Sequence, residues 1–186
     1  MGKLKKHDFG FRVVEEVPTS LDGDDRAFIH DFEVALAGDC DFDPATVEGA
    51  IAAVLENRAE NDAFNRMLLS SYMSWREIAL LRTYARYMRQ IRFSNSQTFI
   101  SNTLVNHVEL TRLLLEFFEI RFNPERYQSP GKSQAAQQKL EIEFNAGLDE
   151  VENLSEDRVL RLYLELMQAT LRTNYYQPDG EGQPKP

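Results

Sequence analysis

The chain has 186 residues, 42% of them hydrophobic, which is enough for one compact domain and marginal for two. Its 21 Lys and Arg stand against 30 Asp and Glu, a net charge of −9 that argues against a chain built to grip nucleic-acid backbone or adhere to an anionic membrane. A single cysteine, Cys40, excludes an internal disulfide and most cysteine-rich zinc sites, and no run approaches the ~18 apolar residues of a membrane span. The basic start, Met1 to Lys6, is not followed by an apolar run of signal-peptide length. The composition reads as a soluble, cytoplasmic chain, with no nucleic acid and no membrane among its partners.

In chain order, residues 9–18 and 26–36 read as extended. Phe28, His30, Phe32, Val34 and Leu36 alternate with Ile29, Asp31 and Glu33, the period of two of a half-buried strand. Leu21-Asp-Gly-Asp-Asp25 supplies turn chemistry between the two runs, so an antiparallel β-hairpin is predicted. Two strands alone are marginal in water, and the rest of the chain offers only helices. After Gly38, Asp43-Pro44 places a cap residue before a proline at the first helical position, and Val47, Ala50, Ile51, Val54 and Leu55 repeat at helical spacing. A short helix is expected after Asn61-Asp62, with Phe64, Met67 and Leu68 as its stripe.

Ser74-Trp-Arg-Glu77 has the spacing of a capping box and opens a helix to about Gln90. Leu80, Leu81, Tyr84, Tyr87, Met88 and Ile91 form its apolar face, and Trp75 is read as its core anchor. Arg82, Arg86 and Arg89 recur at i, i+4 and i+7 on another face, read as solvated or as a candidate interface for an anionic partner. Helices follow at about 96–106 and 107–121, the latter stopped by Asn123-Pro124. Residues 127–132, with Pro130-Gly131, read as a linker. Gln134–Val151 reads as a helix of mixed polarity, and a final one capped by Ser155 runs through Leu171, followed by a loose tail over 177–186.

Charge is unevenly spread. Fifteen acids and three arginines lie between Asp8 and Asp62, whereas Trp75–Arg92 holds five arginines and only Glu77. The two regions are either solvated separately or paired, within the fold or across an assembly interface.

No catalytic constellation is visible. Gly180-Glu-Gly182 lacks the preceding strand of a dinucleotide loop. His7, His30 and His107 are far apart and read as surface or strand residues, not metal ligands. Asp39-Cys-Asp-Phe-Asp43 lacks the glycine and the terminal glutamate of a calcium loop, and reads as a turn and a helix cap. No metal site is predicted, and neither catalytic nor cofactor-binding residues.

Asn61–Leu69, Ser74–Gln90, Phe117–Pro124, Asp157–Arg161 and Ala169-Thr-Leu-Arg-Thr-Asn-Tyr-Tyr176 together resemble the large bacterial NAD-specific glutamate dehydrogenases, chains several times longer than this one. The likeness spans roughly residues 9–184. It implies a fragment of an oxidoreductase that deaminates L-glutamate to 2-oxoglutarate and ammonia with reduction of NAD, homo-oligomeric and partnered by the remaining domains of the parent chain. It further implies that the glycine-rich substrate segment, catalytic lysine and dinucleotide-binding fold begin after this chain ends, so no active-site residue is carried over and no cofactor is expected in the fragment itself. The expected fold is therefore mainly α. A hairpin over 1–38, the remnant of an ACT-type α+β regulatory module, precedes a bundle-like helical domain over 39–176, and a flexible tail over 177–186 leads towards the missing catalytic domain. The helical region is assigned to assembly or regulation. The alternative is a free-standing helical adaptor or RNA-associated protein using the Arg82, Arg86 and Arg89 face.

Overall fold

A computed structural model describes residues 11–20, 28–36, 43–71, 73–126, 129–178 and 180, the two strands and residues 70–71 as backbone only. The predicted turn at 21–25, Cys40, His7 and most of the 39–43 acidic cluster lie outside the described residues. Strands β1 (Phe11–Ser20) and β2 (Phe28–Leu36) pair antiparallel from Phe11 opposite Leu36 to Ser20 opposite Phe28, with an irregularity between Val13 and Glu15. Pro18 has no N–H to give to a ladder, and it is accommodated because each strand of a two-stranded sheet is an edge. Among the described residues the sheet has no third strand, and nothing in it supports the ACT-type module that the resemblance implied.

The remainder is helical. Asp43 caps α1 (Pro44–Leu55) by accepting from the Ala45 and Thr46 N–H groups, and Pro44 occupies the first turn without loss of a bond. Asp62 caps a 3₁₀ turn (Ala63–Arg66) that runs into α2 (Met67–Ser71). In α3 (Trp75–Gln90) the capping box closes in both directions: the Ser74 hydroxyl accepts from the Glu77 N–H, and the Glu77 carboxylate accepts from the Ser74 N–H at 2.7 Å. Ser96 caps α4 (Gln97–Asn106) through the Phe99 N–H, and α5 (Val108–Phe122) follows directly after His107.

Helices α1 and α3 both end with a non-glycine residue in the left-handed region, Asn57 (φ 59°) and Arg92 (φ 62°). In each case the next N–H reaches back five residues, Arg58 to Ala53 O and Phe93 to Met88 O, which satisfies carbonyls that the helix end leaves open. Asparagine tolerates that backbone angle; arginine carries a cost there.

Two boundaries differ from the sequence reading. Helix α6 (Pro130–Leu148) starts four residues earlier, because Pro130 serves as its first residue and does not belong to a linker. Helix α7 (Leu154–Ala169) is capped by Asn153, whose side-chain oxygen accepts from the Ser155 and Glu156 N–H groups, so Ser155 lies inside the first turn. Glu156 and Asp157 do occupy that turn, favourable at the positive end of the helix dipole. The helix stops at Ala169, leaving Leu171 outside it and 87% exposed.

One apolar core joins α1 to α7. Phe64, Met67 and Leu68 meet Leu81, Ala85 and Met88 of α3, Ile100 and Leu104 of α4, Phe117 and Phe118 of α5, Phe144 and Leu148 of α6, and Tyr163 and Met167 of α7. Helix α6 contributes only the i, i+4, i+8 stripe Leu140, Phe144, Leu148, which is why its sequence reads as mixed. At Gly147 it comes so close to α5 that a Cβ would stand 2.6 Å from Leu110 Cδ2.

Trp75 packs against the core while staying partly exposed. As the first residue of α3 its ring lies at the bundle's edge, partly buried against the core, with the Arg58 guanidinium 5.2 Å from the ring centroid. The fully buried side chains of α3 are Ile78, Leu81, Ala85 and Met88. Truncating a fully buried phenylalanine costs about 3–5 kcal/mol, so Phe118→Ala is expected to destabilise the chain by that amount and Trp75→Ala by clearly less, as read from urea unfolding of the two variants side by side.

Candidate functional site

The arginines predicted on one solvent-facing stripe of α3 separate into three environments. Arg82 is 5% exposed. Its guanidinium grips Asp62 bidentately, Nε to Oδ2 at 2.8 Å and Nη2 to Oδ1 at 2.9 Å, and Nη2 also donates to Asn65 Oδ1 at 3.0 Å. Asn65 is itself buried and donates from Nδ2 to the Glu60 carbonyl, while Asp62 accepts the Phe64 N–H as the cap of the 3₁₀ turn. Arg86 pairs with Glu60 at the surface, and Arg89 is exposed. The expectation of three arginines on one solvated face is thus corrected at Arg82. Burying a guanidinium without a carboxylate is prohibitive, and Asp62 supplies one from 20 residues upstream. The acidic first third and the basic centre therefore pair within the fold at Asp62–Arg82 and Glu60–Arg86. An RNA-binding face built on all three side chains loses its first member.

A second constellation, missed by sequence reasoning, surrounds the irregular segment that follows α7. Thr170 to Tyr176 folds back along α3 and α5 as a strap. Arg121 of α5 donates to the carbonyls of Gln168 (2.9 Å) and Thr170 (3.2 Å), and the Tyr84 hydroxyl of α3 lies 2.9 Å from Thr170 Oγ1. Arg76 of α3 donates to the Tyr175 carbonyl at 2.7 Å and sits 4.6 Å over its ring. Phe118 receives Tyr175 edge-on at 5.5 Å and Tyr176 nearly parallel at 6.2 Å. The one signal available was compositional: two adjacent tyrosines after a helix stop, with no period to place them.

Burial holds these phenols in the neutral form. It pushes Tyr175 up to about 12 against the opposing pull of Arg76, and raises Tyr176 further. It also raises Tyr84, where the bond to Thr170 opposes it. Tyr163 is wholly enclosed and donates its hydroxyl to the Leu81 carbonyl at 2.9 Å; its pKa too is well raised by burial. Among the described residues the Tyr176 hydroxyl is buried and meets no hydrogen-bond partner.

Elsewhere, His107 Nε2 lies 2.9 Å from Glu156 Oε2, and Asn106 donates to the other oxygen of the same carboxylate, joining the α4–α5 corner to the start of α7. An open groove of about 570 Å³ runs between α5 and α6, lined in part by Arg121, Ser133, Gln137 and Leu171. Another of about 520 Å³ lies between the end of α3 and α7, with Arg92, Arg158, Arg161 and Glu165 over Ile91, Phe93 and Leu162. Neither places a nucleophile beside a base. Among the described residues no three metal-ligating side chains cluster, and no helix is long and apolar enough to cross a membrane. The N-termini of α1, α3, α4 and α7 are occupied by Asp43, Ser74, Ser96 and Asn153, and no glycine-rich turn leads from a described strand into a helix.

Comparison with known proteins gives two family matches. Residues 59–124 match the glutamate dehydrogenase helical motif 3, and residues 143–186 match the catalytic domain of bacterial NAD-glutamate dehydrogenase. The second match begins inside α6, well before the point where the sequence reading placed the catalytic region. The NAD-specific glutamate dehydrogenase of Pseudomonas aeruginosa is 42% identical over 184 residues, and that of Halomonas elongata 40% over 183; each alignment covers 96% of this chain and 11% of the relative. The Mycobacterium tuberculosis enzyme of the same name is 33% identical over 178 residues, 90% of this chain and 11% of its own. The chain thus spans about a tenth of the length of these relatives.

Two outcomes are expected from the geometry. Removing one partner of a buried ion pair costs about 3–5 kcal/mol, whereas an exposed pair is worth about 0–1 kcal/mol. Asp62→Ala should therefore approach the larger figure and Arg86→Ala the smaller, as read from denaturant midpoints. The tyrosines act in the alkaline range. A phenol whose folded pKa is raised stabilises the fold fully below its ordinary value of 10, and that contribution is lost as pH climbs through about 12 for Tyr175. Stability should fall from about pH 10 upwards, with part of the tyrosinate absorbance appearing only together with the loss of helical circular dichroism.

Proposed function

The chain is a homologue of one segment of the NAD-specific glutamate dehydrogenases, and we propose that it serves such an enzyme as a non-catalytic helical region for assembly or regulation. The parent reaction on this reading is the oxidative deamination of L-glutamate to 2-oxoglutarate and ammonia with reduction of NAD, in a homo-oligomeric cytoplasmic enzyme. Residues 39–176 form the helical part, and from residue 143 onward the chain already matches the start of the catalytic-domain family and runs on into it.

The observation that carries the reading is how the polar side chains are used. Arg82 is met by Asp62 and Asn65, Tyr163 by Leu81, His107 by Glu156 and Arg121 by main-chain carbonyls. They hold elements together. Hydride transfer requires a fold that holds the nicotinamide against the substrate carbon, and no glycine-rich turn leads from a described strand into a helix here. Catalysis and NAD binding accordingly fall to other parts of the parent chain.

The test compares this chain with the full-length chain that carries it. The full-length protein is expected to reduce NAD with glutamate. The 186-residue chain is expected to give neither turnover nor a calorimetric signal with NADH. Turnover or NADH binding by the short chain would overturn the assignment.

A further inference from the structure

The strap at Thr170–Tyr176 is irregular, so no helix or sheet ladder fixes its main chain, and its position rests on tethers from other elements. Apart from the bonds of Thr170 back to Leu166 and Met167 of α7, those tethers come from one side. Arg76, Tyr84, Phe118 and Arg121 all lie within the helical-motif match at 59–124, whereas Thr170, Tyr175 and Tyr176 lie within the catalytic-domain match at 143–186. The contacts that fix the strap are therefore contacts between what the comparisons recognise as two different modules. Arg76 makes the hydrogen bond from another element that lies farthest along the strap. It combines a charge-assisted bond to a main-chain carbonyl with a cation held over the ring of the same residue. It is also seated in the first turn of α3, whose start the capping box at Ser74 and Glu77 fixes. The Gln177 N–H closes the turn that ends the strap by donating to the Asn174 carbonyl.

We propose that Arg76 is a positioning residue of the dehydrogenase: by fixing Tyr175 it sets where the chain leaves the helical bundle, and so how the catalytic region that follows is placed. This rests on the reading given under Proposed function. It assigns the helical motif a specific task, to hold the entry of the catalytic domain in register with the rest of the enzyme. Small displacements are costly in such a design, since misplacing reacting groups by about 1 Å lowers rates by up to about 100-fold.

The experiment is steady-state kinetics on the full-length chain carrying Arg76→Ala, Arg76→Lys or, as a surface control on α7, Arg161→Ala. If the unmodified full-length chain does not reduce NAD with glutamate, the dehydrogenase reading itself fails, an outcome separate from the role of Arg76. Given activity, Arg76→Ala is expected to lower kcat by about tenfold or more while KM for NAD stays within about twofold, because the strap shifts the catalytic region and not the cofactor contacts themselves. Arg76→Lys should recover part of the loss, since an ammonium restores one donor to the Tyr175 carbonyl. Arg161→Ala should keep the parental kcat. A folded Arg76→Ala enzyme with parental kcat overturns the proposal. Should Arg76→Ala fail to fold, Tyr175→Leu decides, because it keeps apolar bulk against Phe118 and removes the ring beneath Arg76. A lowered kcat at unchanged KM supports the role, and parental kcat overturns it.

Discussion

A guanidinium removed from water has to be answered donor by donor, and the way Arg82 is answered shapes the first half of the bundle. Asp62 receives two of its donors while capping the 3₁₀ turn, and Asn65 receives a third contact while tying that turn to the Glu60 carbonyl. The turn before α2 is thereby locked to the middle of α3, with the guanidinium carbon 5.6 Å from the Phe64 ring centroid. Replacing such an arrangement by well-packed apolar side chains is often neutral or stabilising in other proteins, so its effect here is geometric. It fixes which turn of α3 faces the short elements before it, and the apolar contacts of Phe64, Met67 and Leu68 then follow.

On the opposite face of α3 the same helix holds the strap. Tyr84 sits at the junction: its ring meets Phe118 edge-on at 6.3 Å and Tyr163 at 6.4 Å, and its hydroxyl reaches Thr170. Each aromatic brings a large apolar area and one polar atom that needs a partner. Tyr163 spends that atom on a helix carbonyl and Tyr84 on the strap. Tyr176 leaves it unspent.

How much of this was legible depended on the range of the interaction. The capping box of α3 and the Asp43-Pro44 start of α1 are encoded within four residues, so spacing alone revealed them. The apolar stripe of α3 repeats at helical period and gave the core residues Leu80, Leu81 and Met88. Pro130-Gly131 misled, because the same dipeptide suits a linker and the first turn of a helix, and the choice falls to the packing of Leu140, Phe144 and Leu148 further on. Asn153 and Ser155 are both good caps, and neither is preferred until the last turn of α6 is placed. Arg82 read as solvated because its partner lies 20 residues away, and charge alone does not tell a surface stripe from a buried pair. Trp75, at the start of the helix, packs against the core while staying partly exposed. The strap had no period to read, and its partners are as far as 99 residues upstream.

The continuous core has a consequence for how such proteins diversify. Sequence comparison draws a border between residue 124 and residue 143, yet Phe117 and Phe118 on one side share a core with Phe144, Tyr163 and Met167 on the other. Recombination at that border would part half of a cooperative folding unit from the other half and leave two apolar faces in water. Exchange between relatives is tolerated where few contacts cross the cut, and the α5–α6 connection, with Gly147 pressed against Leu110, is the reverse of such a place. The packing unit among the described residues is larger than either recognised motif: α1 to α7 together with the strap share one core.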